Sequence, residues 1–124
     1  MKKINTEKAP AAIGPYSQAV EHGGLVYLSG QIPIDPQTGA VSGTTIQEQT
    51  HQVMKNLSAV LAAAGTDPDK ILKTTCFIAD MADFAAFNEI YSLYIKNAPA
   101  RCCVAVKTLP KHVLVEVDAI AAVD

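Results

Sequence analysis

Arg101 is the only arginine in this sequence of 124 residues, and it directly precedes the apolar run Cys102–Val106. A guanidinium at the start of a buried strand is costly unless an anion meets it. Its planar fork grips a carboxylate or phosphate through two parallel hydrogen bonds, which a lysine ammonium cannot reproduce. A later apolar stretch carries Glu116, the natural internal partner. Two interpretations follow: Arg101 binds a small carboxylate while Glu116 handles the water or proton beside it, or the two residues form an internal ion pair.

A cysteine close to this arginine is a second candidate for chemistry. Alternate residues of a strand share a face, so Cys103 lies on the Arg101 side and Cys102 on the other. A neighbouring guanidinium favours the thiolate and would make Cys103 a nucleophile. The alternative is a small packed residue, because the sequence suggests no histidine nearby.

Three other positions carry weaker signals. The segment Ser29–Gln31 ends a predicted strand, and Gly30 permits either a bulge or a close approach of backbone to ligand. Tyr16 lies in a loop, where its ring packs against the fold or its hydroxyl contacts a ligand. Asn88 follows Phe84 by four residues and shares its helix face. The alternative for Asn88 is that it satisfies backbone groups near a helix end.

The composition indicates one soluble domain, residues 1–124, and argues against several functions. Hydrophobic residues make up 49% of the chain and charged residues 18%, so apolar surface is in excess. Charged or amide residues interrupt every apolar run before the roughly 20 residues of a membrane span. The segment Met1–Lys8 lacks an apolar signal region, so a cytoplasmic location is expected. The net charge of −2, without basic clusters, argues against binding nucleic acid.

The cysteines and histidines give no indication of a metal site. Cys76, Cys102 and Cys103 are odd in number and lack the spacing of metal ligands. Adjacent strand residues point to opposite faces, so Cys102 and Cys103 are poorly placed to bridge each other. Buried free thiols are expected instead. The three histidines form no metal-binding pattern. We therefore predict neither a metal nor a cofactor.

Periodicity and turn residues predict an α+β fold. Thr45 and Glu48 have capping-box spacing at the start of a helix, and Gly65 is a suitable stop. Two helices and five strands suggest a sandwich with both helices on one sheet face. The predicted elements are strands at 18–20 and 25–29 around a turn at 21–24, a turn at 35–39, a helix at 45–65, a strand at 71–79, a helix at 83–96, a strand at 101–106, a turn at 109–112 and a strand at 113–123.

The last predicted strand is apolar on both of its alternating faces. A sheet open to water on one side shows a polar face instead, so both faces are expected to be buried. Two helices cover only one of them. The other is predicted to pack against further subunits. Glu116 and Asp118 share a face of this strand, and carboxylates among apolar residues are either paired or functional.

Five motifs, in order and spacing, resemble those of the reactive intermediate deaminase family, also called YjgF. The resemblance extends from about Pro10 to Ala121, and the retained Arg101 is typical of the subgroup that hydrolyses 2-iminobutanoate and 2-iminopropanoate. The motifs are Gly14–Ala19, Ser29–Pro33, Asp80–Phe84 with Asn88 and Tyr91, Pro99–Arg101, and Leu109-Pro110 with Val115–Ala121.

The resemblance implies an architecture and a site. The fold would be a chorismate-mutase-like (ferredoxin-like) α+β sandwich with a mixed sheet, assembled as a homotrimer around a central barrel with the sites between subunits. Arg101 would bind the substrate carboxylate and Glu116 would position water. Because only a turn separates their predicted strands, we expect these two residues to be hairpin neighbours. The other residues lining the cleft would be Tyr16, Ser29, Gly30, Gln31, Asn88 and Cys103.

The implied reaction is hydrolysis of enamine and imine intermediates to 2-oxo acids and ammonia. The C=N carbon of 2-iminopropanoate or 2-iminobutanoate is already electrophilic, so the chemistry requires no cofactor. Two alternative functions are also compatible with this sequence. One is a non-catalytic trimer that binds small 2-oxo acids through Arg101, and the other is a chaperone-like interaction protein that does not depend on Arg101. Ribonuclease activity, also associated with the family, has little support from the charge balance.

Overall fold

A computed structural model describes residues 1–124 as one six-stranded mixed sheet with two α-helices on one of its faces. The sheet order is β1-β2-β3-β6-β4-β5, and every neighbouring pair is antiparallel except β4 and β5. The α+β prediction is confirmed. The elements are β1 Lys2–Ile4, β2 Ala19–His22, β3 Leu25–Gln31, α1 Ile46–Ala63, β4 Ile71–Ile78, α2 Phe84–Tyr94, β5 Ala100–Ala105 and β6 Val115–Ala122.

Helix α1 begins and ends where its local sequence predicts. The Thr45 hydroxyl accepts a hydrogen bond from the Glu48 backbone N–H at 3.1 Å, and the Glu48 carboxylate accepts the Thr45 N–H at 3.2 Å. This reciprocal pair satisfies two of the donors that a helix start leaves free. Gly65 follows the helix with φ +83°, a conformation that glycine adopts without strain. Neither helix has the length and apolarity needed to cross a membrane.

The bounds of one helix and one strand differ from the prediction for a visible reason, one further strand was not predicted, and the other bounds differ by one or two residues. Helix α2 spans 84–94 rather than 83–96, because a 3₁₀ turn at Met81–Asp83, capped by the Asp80 side chain, precedes it. Strand β6 begins at Val115 because Pro110–His112 form another 3₁₀ turn. Strand β1 was not predicted. Its three residues include two lysines, so the sequence shows no apolar alternation there.

The two faces of the sheet have different environments. On the helix face, α1 and α2 cover a single apolar cluster of 22 buried residues, including Val115, Val117 and Ala119 of β6. Strand β6 alternates buried and half-buried residues, so neither helix covers the other face, which we call the open face. The burial of this second face against further subunits stays a prediction, because a single chain does not test it. The open face comprises Leu25, Tyr27, Lys73, Thr75, Phe77, Ala100, Cys102, Val104, Glu116, Asp118, Ile120 and Ala122.

Strand β5 is an edge strand rather than the buried strand that its apolar sequence suggested. Its residues are exposed or half-buried, and the exposed ones include Cys102 and Val104. The expectation of buried thiols is accordingly wrong for Cys102, although all three cysteines are free. An apolar sequence indicates that a strand can be buried. It does not indicate whether the same chain or another one buries it.

Strands β5 and β6 are not a hairpin. Strand β4 lies between them, pairing with β5 in parallel and with β6 in antiparallel orientation. Strand β6 instead enters the sheet between β3 and β4. The expectation that Arg101 and Glu116 are hairpin neighbours is therefore wrong. Sequence order alone suggested that pairing, and the parallel crossover through α2 replaces it.

Candidate active site

The guanidinium of Arg101 is held between β5 and helix α2. Its Nη1 donates a 2.7 Å hydrogen bond to Asn88 Oδ1. The guanidinium carbon lies 5.0 Å from the ring centroid of Tyr91 and 5.5 Å from that of Phe84, distances at which a cation is attracted to an aromatic face. Residues 84, 88 and 91 occupy one side of α2 because they are separated by one helical turn. We call these four residues the arginine cluster.

The arginine cluster contains no anion. The one ion pair in the chain joins Lys70 to Asp124, so no carboxylate neutralises Arg101. The interpretation of Arg101 and Glu116 as an internal ion pair is wrong within this chain. Asn88 does not serve backbone groups near the end of its helix, because its side-chain oxygen orients the guanidinium instead. A fixed, half-buried cation without a counter-ion is a suitable receptor for a carboxylate.

Tyr91 and Cys103 complete the surroundings of Arg101. The Tyr91 hydroxyl shares a 2.8 Å hydrogen bond with Thr74 Oγ1, and burial raises the pKa of Tyr91, so the hydroxyl stays neutral beside the cation. Cys103 lies on the same strand face as Arg101, as predicted. Burial raises the pKa of the Cys103 thiol more than the Arg101 charge lowers it. This balance favours the packed-residue interpretation of Cys103 over the nucleophile.

The carboxyl group of Glu116 lies on the open face against a bulge in β3. Between Leu28 and Gln31 the register with β6 slips, which places Gly30 beside Glu116. A Cβ atom added at Gly30 would collide with Glu116 Oε2 and would lie 2.9 Å from its carboxyl carbon. The bulge interpretation of Gly30 is confirmed, and the space left by the missing side chain holds the Glu116 carboxyl group; a close approach of the Gly30 backbone to a ligand stays a prediction.

The environment of Glu116 disfavours its charge. Burial raises the pKa of the Glu116 carboxyl, and the negative charge of Asp118 on the same face raises it further. No cation lies within ion-pair distance of either carboxylate. A carboxyl group with a raised pKa is a stronger base once ionised and more readily carries a proton near neutral pH.

The remaining predicted residues surround Gly30. Ser29 donates its hydroxyl hydrogen to the Ser17 carbonyl at 2.6 Å, which ties the bulge to the preceding loop. Gln31 is buried, and its amide donates to the Ser29 carbonyl at 3.3 Å. Tyr16 is 54% exposed, so about half of its surface packs against the chain, and contact of its hydroxyl with a ligand stays a prediction. We call Glu116, Gly30, Ser29, Gln31 and Tyr16 the glutamate cluster.

A groove of about 610 Å³ opens beside the glutamate cluster. Tyr16, Gly30 and Gln31 line it together with apolar loop residues, whereas Arg101 and Glu116 are not among its lining residues. Lys111, in the left-handed conformation at φ +55°, also lines the groove. This groove therefore contains one part of the predicted site and excludes the predicted carboxylate receptor.

The structure divides the predicted site residues into two groups on opposite faces of one sheet. Arg101 is in register with Thr74, whose side chain is buried under α2, whereas Glu116 is in register with Phe77 on the open face. Side chains of residues three apart on a strand point to opposite sides. A ligand held by Arg101 therefore cannot reach Glu116 of the same chain without crossing the sheet.

Sequence reasoning missed the roles of Phe84 and Tyr91 as the platform for the guanidinium. Both were assigned to the inner face of α2, and their spacing to Asn88 was the available signal. The contact of these rings with β5 could not be predicted, because no local sequence pattern indicates that β4 and β5 pair in parallel.

Substituting alanine for Gly30 is expected to be mildly destabilising. The new Cβ would displace the Glu116 carboxyl group, which is the flexible end of a half-buried side chain, so the loss of unfolding free energy should lie near the low end of the about 1–3 kcal/mol typical of overpacking. Urea denaturation of Gly30→Ala measures this loss. The matched control is Gly30→Ala in a Glu116→Ala background, where the colliding atoms are absent and most of the loss should disappear. Equal losses in both backgrounds would show that Glu116 is not what requires glycine.

Comparisons with known proteins agree with this fold. Residues 6–123 match the family model described as Endoribonuclease L-PSP. The chain is 47% identical over 121 residues to the 2-iminobutanoate/2-iminopropanoate deaminase of Mus musculus, covering 97% of this chain and 90% of that protein. It is 49% identical over 119 residues to the RutC family protein PH0854 of Pyrococcus horikoshii, covering 95% and 94%.

A solved structure gives the same result for the fold. E. coli TdcF, crystallised with bound serine, superposes with a TM-score of 0.95 at 43% identity and covers the full length of both chains. The chain belongs to the reactive intermediate deaminase family. The names within this family differ, since one relative is named for an imine deaminase and another only for its family.

Proposed function

We propose that this protein hydrolyses reactive enamine and imine intermediates to 2-oxo acids and ammonia. The substrates are 2-aminoacrylate with its tautomer 2-iminopropanoate, and 2-aminocrotonate with its tautomer 2-iminobutanoate. The observation that carries the proposal is the arginine cluster, in which a fixed guanidinium has no counter-ion. The mouse relative named for this activity and the serine bound to TdcF, an α-amino carboxylate, support the choice of a small 2-substituted carboxylate.

The two clusters act together only if different copies of the chain supply them. Arg101 and Glu116 lie on opposite faces of their own sheet, so one subunit would contribute the arginine cluster and its neighbour the glutamate cluster. The half-buried open face and the exposed β5 edge provide apolar surface for such contacts. A homotrimer, with one site in each of three subunit clefts, is the proposed assembly. Its proposed location is the cytoplasm.

The chemistry follows from the two charged groups. Arg101 grips the carboxylate and thereby fixes the adjacent C2 atom, which is mainly an orientation effect. Glu116 accepts a proton from water as the water oxygen bonds to C2, and passes that proton to the imine nitrogen to give a neutral carbinolamine. It then removes the proton of the carbinolamine hydroxyl and delivers it to the amino nitrogen as the C2–N bond breaks, which releases ammonia and leaves the C2 carbonyl of the 2-oxo acid. Tyr16 and the Gly30 backbone would surround the developing charge, and the reaction needs no added oxidant or cofactor.

A competition assay tests the proposal. Threonine and a threonine dehydratase generate 2-iminobutanoate in the presence of semicarbazide, which traps the imine as a semicarbazone. Added protein should slow semicarbazone formation in proportion to its concentration, because hydrolysis removes the imine first. Heat-denatured protein is the control.

The outcome also separates the rival functions. If semicarbazone formation is unchanged while 2-oxobutanoate binds with an affinity that depends on Arg101, the protein is a carboxylate-binding module and the deaminase proposal is wrong. If neither activity nor binding is found while the protein still suppresses aggregation of other proteins, the chaperone-like alternative replaces it.

A further inference from the structure

Asp118 lies two residues from Glu116 on the same face of β6, and neither the site chemistry nor the fold has yet required it. We infer that Asp118 is a positioning residue: anchored to strand β4, it holds a second negative charge beside Glu116 and keeps that carboxyl able to carry a proton during the reaction. This inference rests on the proposed function for its catalytic consequence. The coupling between the two carboxyl groups is testable without it.

A hydrogen bond to strand β4 holds the Asp118 side chain in place. Its Oδ1 accepts a hydrogen bond of 3.2 Å from the backbone N–H of Thr75, the residue opposite it on β4. A side chain tied to the backbone of a central strand cannot swing away to solvent. Its charge therefore stays at a constant position relative to Glu116.

The Glu116 carboxyl group occupies the space that Gly30 leaves in β3, and a Cβ atom at position 30 would collide with it. Alternate residues of a strand are separated by about 6–7 Å along one face, so the two side chains start within reach of strong electrostatic interaction. A half-buried setting screens that interaction less than open water does.

No cation of the chain pairs with either carboxylate. The other titratable groups on the open face are Lys3 on β1, His22 on β2, Tyr27 on β3, Lys73 on β4 and Cys102 on β5. Tyr27 and Lys73 flank Ile120, beyond Asp118 as seen from Glu116, and Lys3 and His22 lie on the two strands beyond β3. The negative charge of Asp118 therefore acts on Glu116 without a compensating cation, which favours the protonated form of Glu116.

This coupling matters for proton transfer. Water loses a proton to Glu116 as its oxygen bonds to C2, and Glu116 passes this proton to the imine nitrogen. Glu116 then carries the proton of the carbinolamine hydroxyl to the same nitrogen as the C2–N bond breaks. A carboxylate of ordinary basicity accepts that proton poorly, whereas one beside a second negative charge accepts it more readily. Asp118 contacts neither water nor substrate in this scheme, and it acts through Glu116.

The test is Asp118→Asn, which removes the charge but keeps an oxygen to accept the Thr75 N–H. The acidic limb of the pH dependence of kcat should move to lower pH, because Glu116 then loses its proton more easily. At neutral pH kcat should fall by about two- to tenfold, as expected for a weaker base. A purely structural role for Asp118 would lower the amount of active protein without moving the pH profile.

A direct measurement and two controls complete the test. NMR titration of the Glu116 side-chain carboxyl carbon should show protonation at lower pH in Asp118→Asn than in the unmodified chain. Glu7→Gln, which removes an exposed carboxylate elsewhere, should leave the titration unchanged. In a Glu116→Gln background, Asp118→Asn should have no further effect on kcat. An unchanged Glu116 titration in Asp118→Asn overturns the inference, whereas a shifted titration in a protein without deaminase activity supports the coupling and overturns the proposed function.

Discussion

Substituting alanine for Arg101 should lower kcat/KM for imine hydrolysis by roughly two to four orders of magnitude. This range corresponds to the loss of about 3–5 kcal/mol when one partner of a buried charge pair is removed, here the carboxylate of the substrate. Arg101→Lys should lose most of the activity as well. The planar guanidinium can donate two parallel hydrogen bonds to a carboxylate and a further hydrogen bond to Asn88 Oδ1. The compact ammonium of lysine does not have this geometry.

Semicarbazone competition and steady-state kinetics measure this effect, and circular dichroism checks that the variants fold. Lys107→Ala is the matched control, because Lys107 is an exposed cation just beyond β5 whose loss alters net charge equally. It should retain full activity. Turnover near that of the unmodified protein in Arg101→Ala would remove Arg101 from the mechanism.

Two inactive variants should restore activity when their chains are mixed within one assembly. Glu116→Gln alone is expected to reduce kcat by about 10²–10⁴-fold, more than it weakens binding of 2-oxobutanoate, because it removes general acid–base catalysis. In a trimer formed from equal amounts of Arg101→Ala and Glu116→Gln chains, about one quarter of the clefts receive both intact residues. Activity should therefore return to about a quarter of the unmodified level.

The mixed assembly is prepared by refolding the two denatured variants together, and folded variants mixed without refolding are the control. If Arg101 and Glu116 of one chain served the same site, no mixture would exceed its inactive parents, and the proposed division of the site would be wrong. Glu116→Gln is not expected to destabilise the fold, so a loss of folded protein should not account for its low activity. The pKa of Glu116 is raised in the folded chain, so its ionisation opposes folding as pH rises through that pKa, and neutral glutamine avoids this cost.

Local patterns predicted the elements of this fold better than their arrangement. Thr45, Glu48 and Gly65 delimit α1 because capping and termination depend on nearby backbone groups alone. The position of β6 between β3 and β4 depends on contacts between distant residues. No local signal distinguishes that order from a β5–β6 hairpin, and this is why the predicted proximity of Arg101 and Glu116 failed.

The candidate site shows the same division. Family resemblance supplied the residue set, and helical spacing correctly placed Asn88 and Phe84 on one face of α2. That these residues contact Arg101, while Glu116 lies across the sheet over Gly30, required the strand pairing. The anchoring of Asp118 by Thr75 likewise depends on the β4–β6 register, which sequence periodicity does not fix.

The edge strand β5 has a consequence for the solubility of newly made chains. The opposite edge, β1, is only three residues long and carries Lys2 and Lys3, features that discourage further strand pairing. Strand β5 is six residues long, and its exposed Val104 and Cys102 offer an apolar template for aggregation. The residues that discourage strand pairing, Pro99 and Lys107, lie outside the strand, before and after it. The yield of refolded protein should therefore fall as protein concentration rises. Rapid formation of the proposed trimer would be the chain's main protection against amyloid-like pairing.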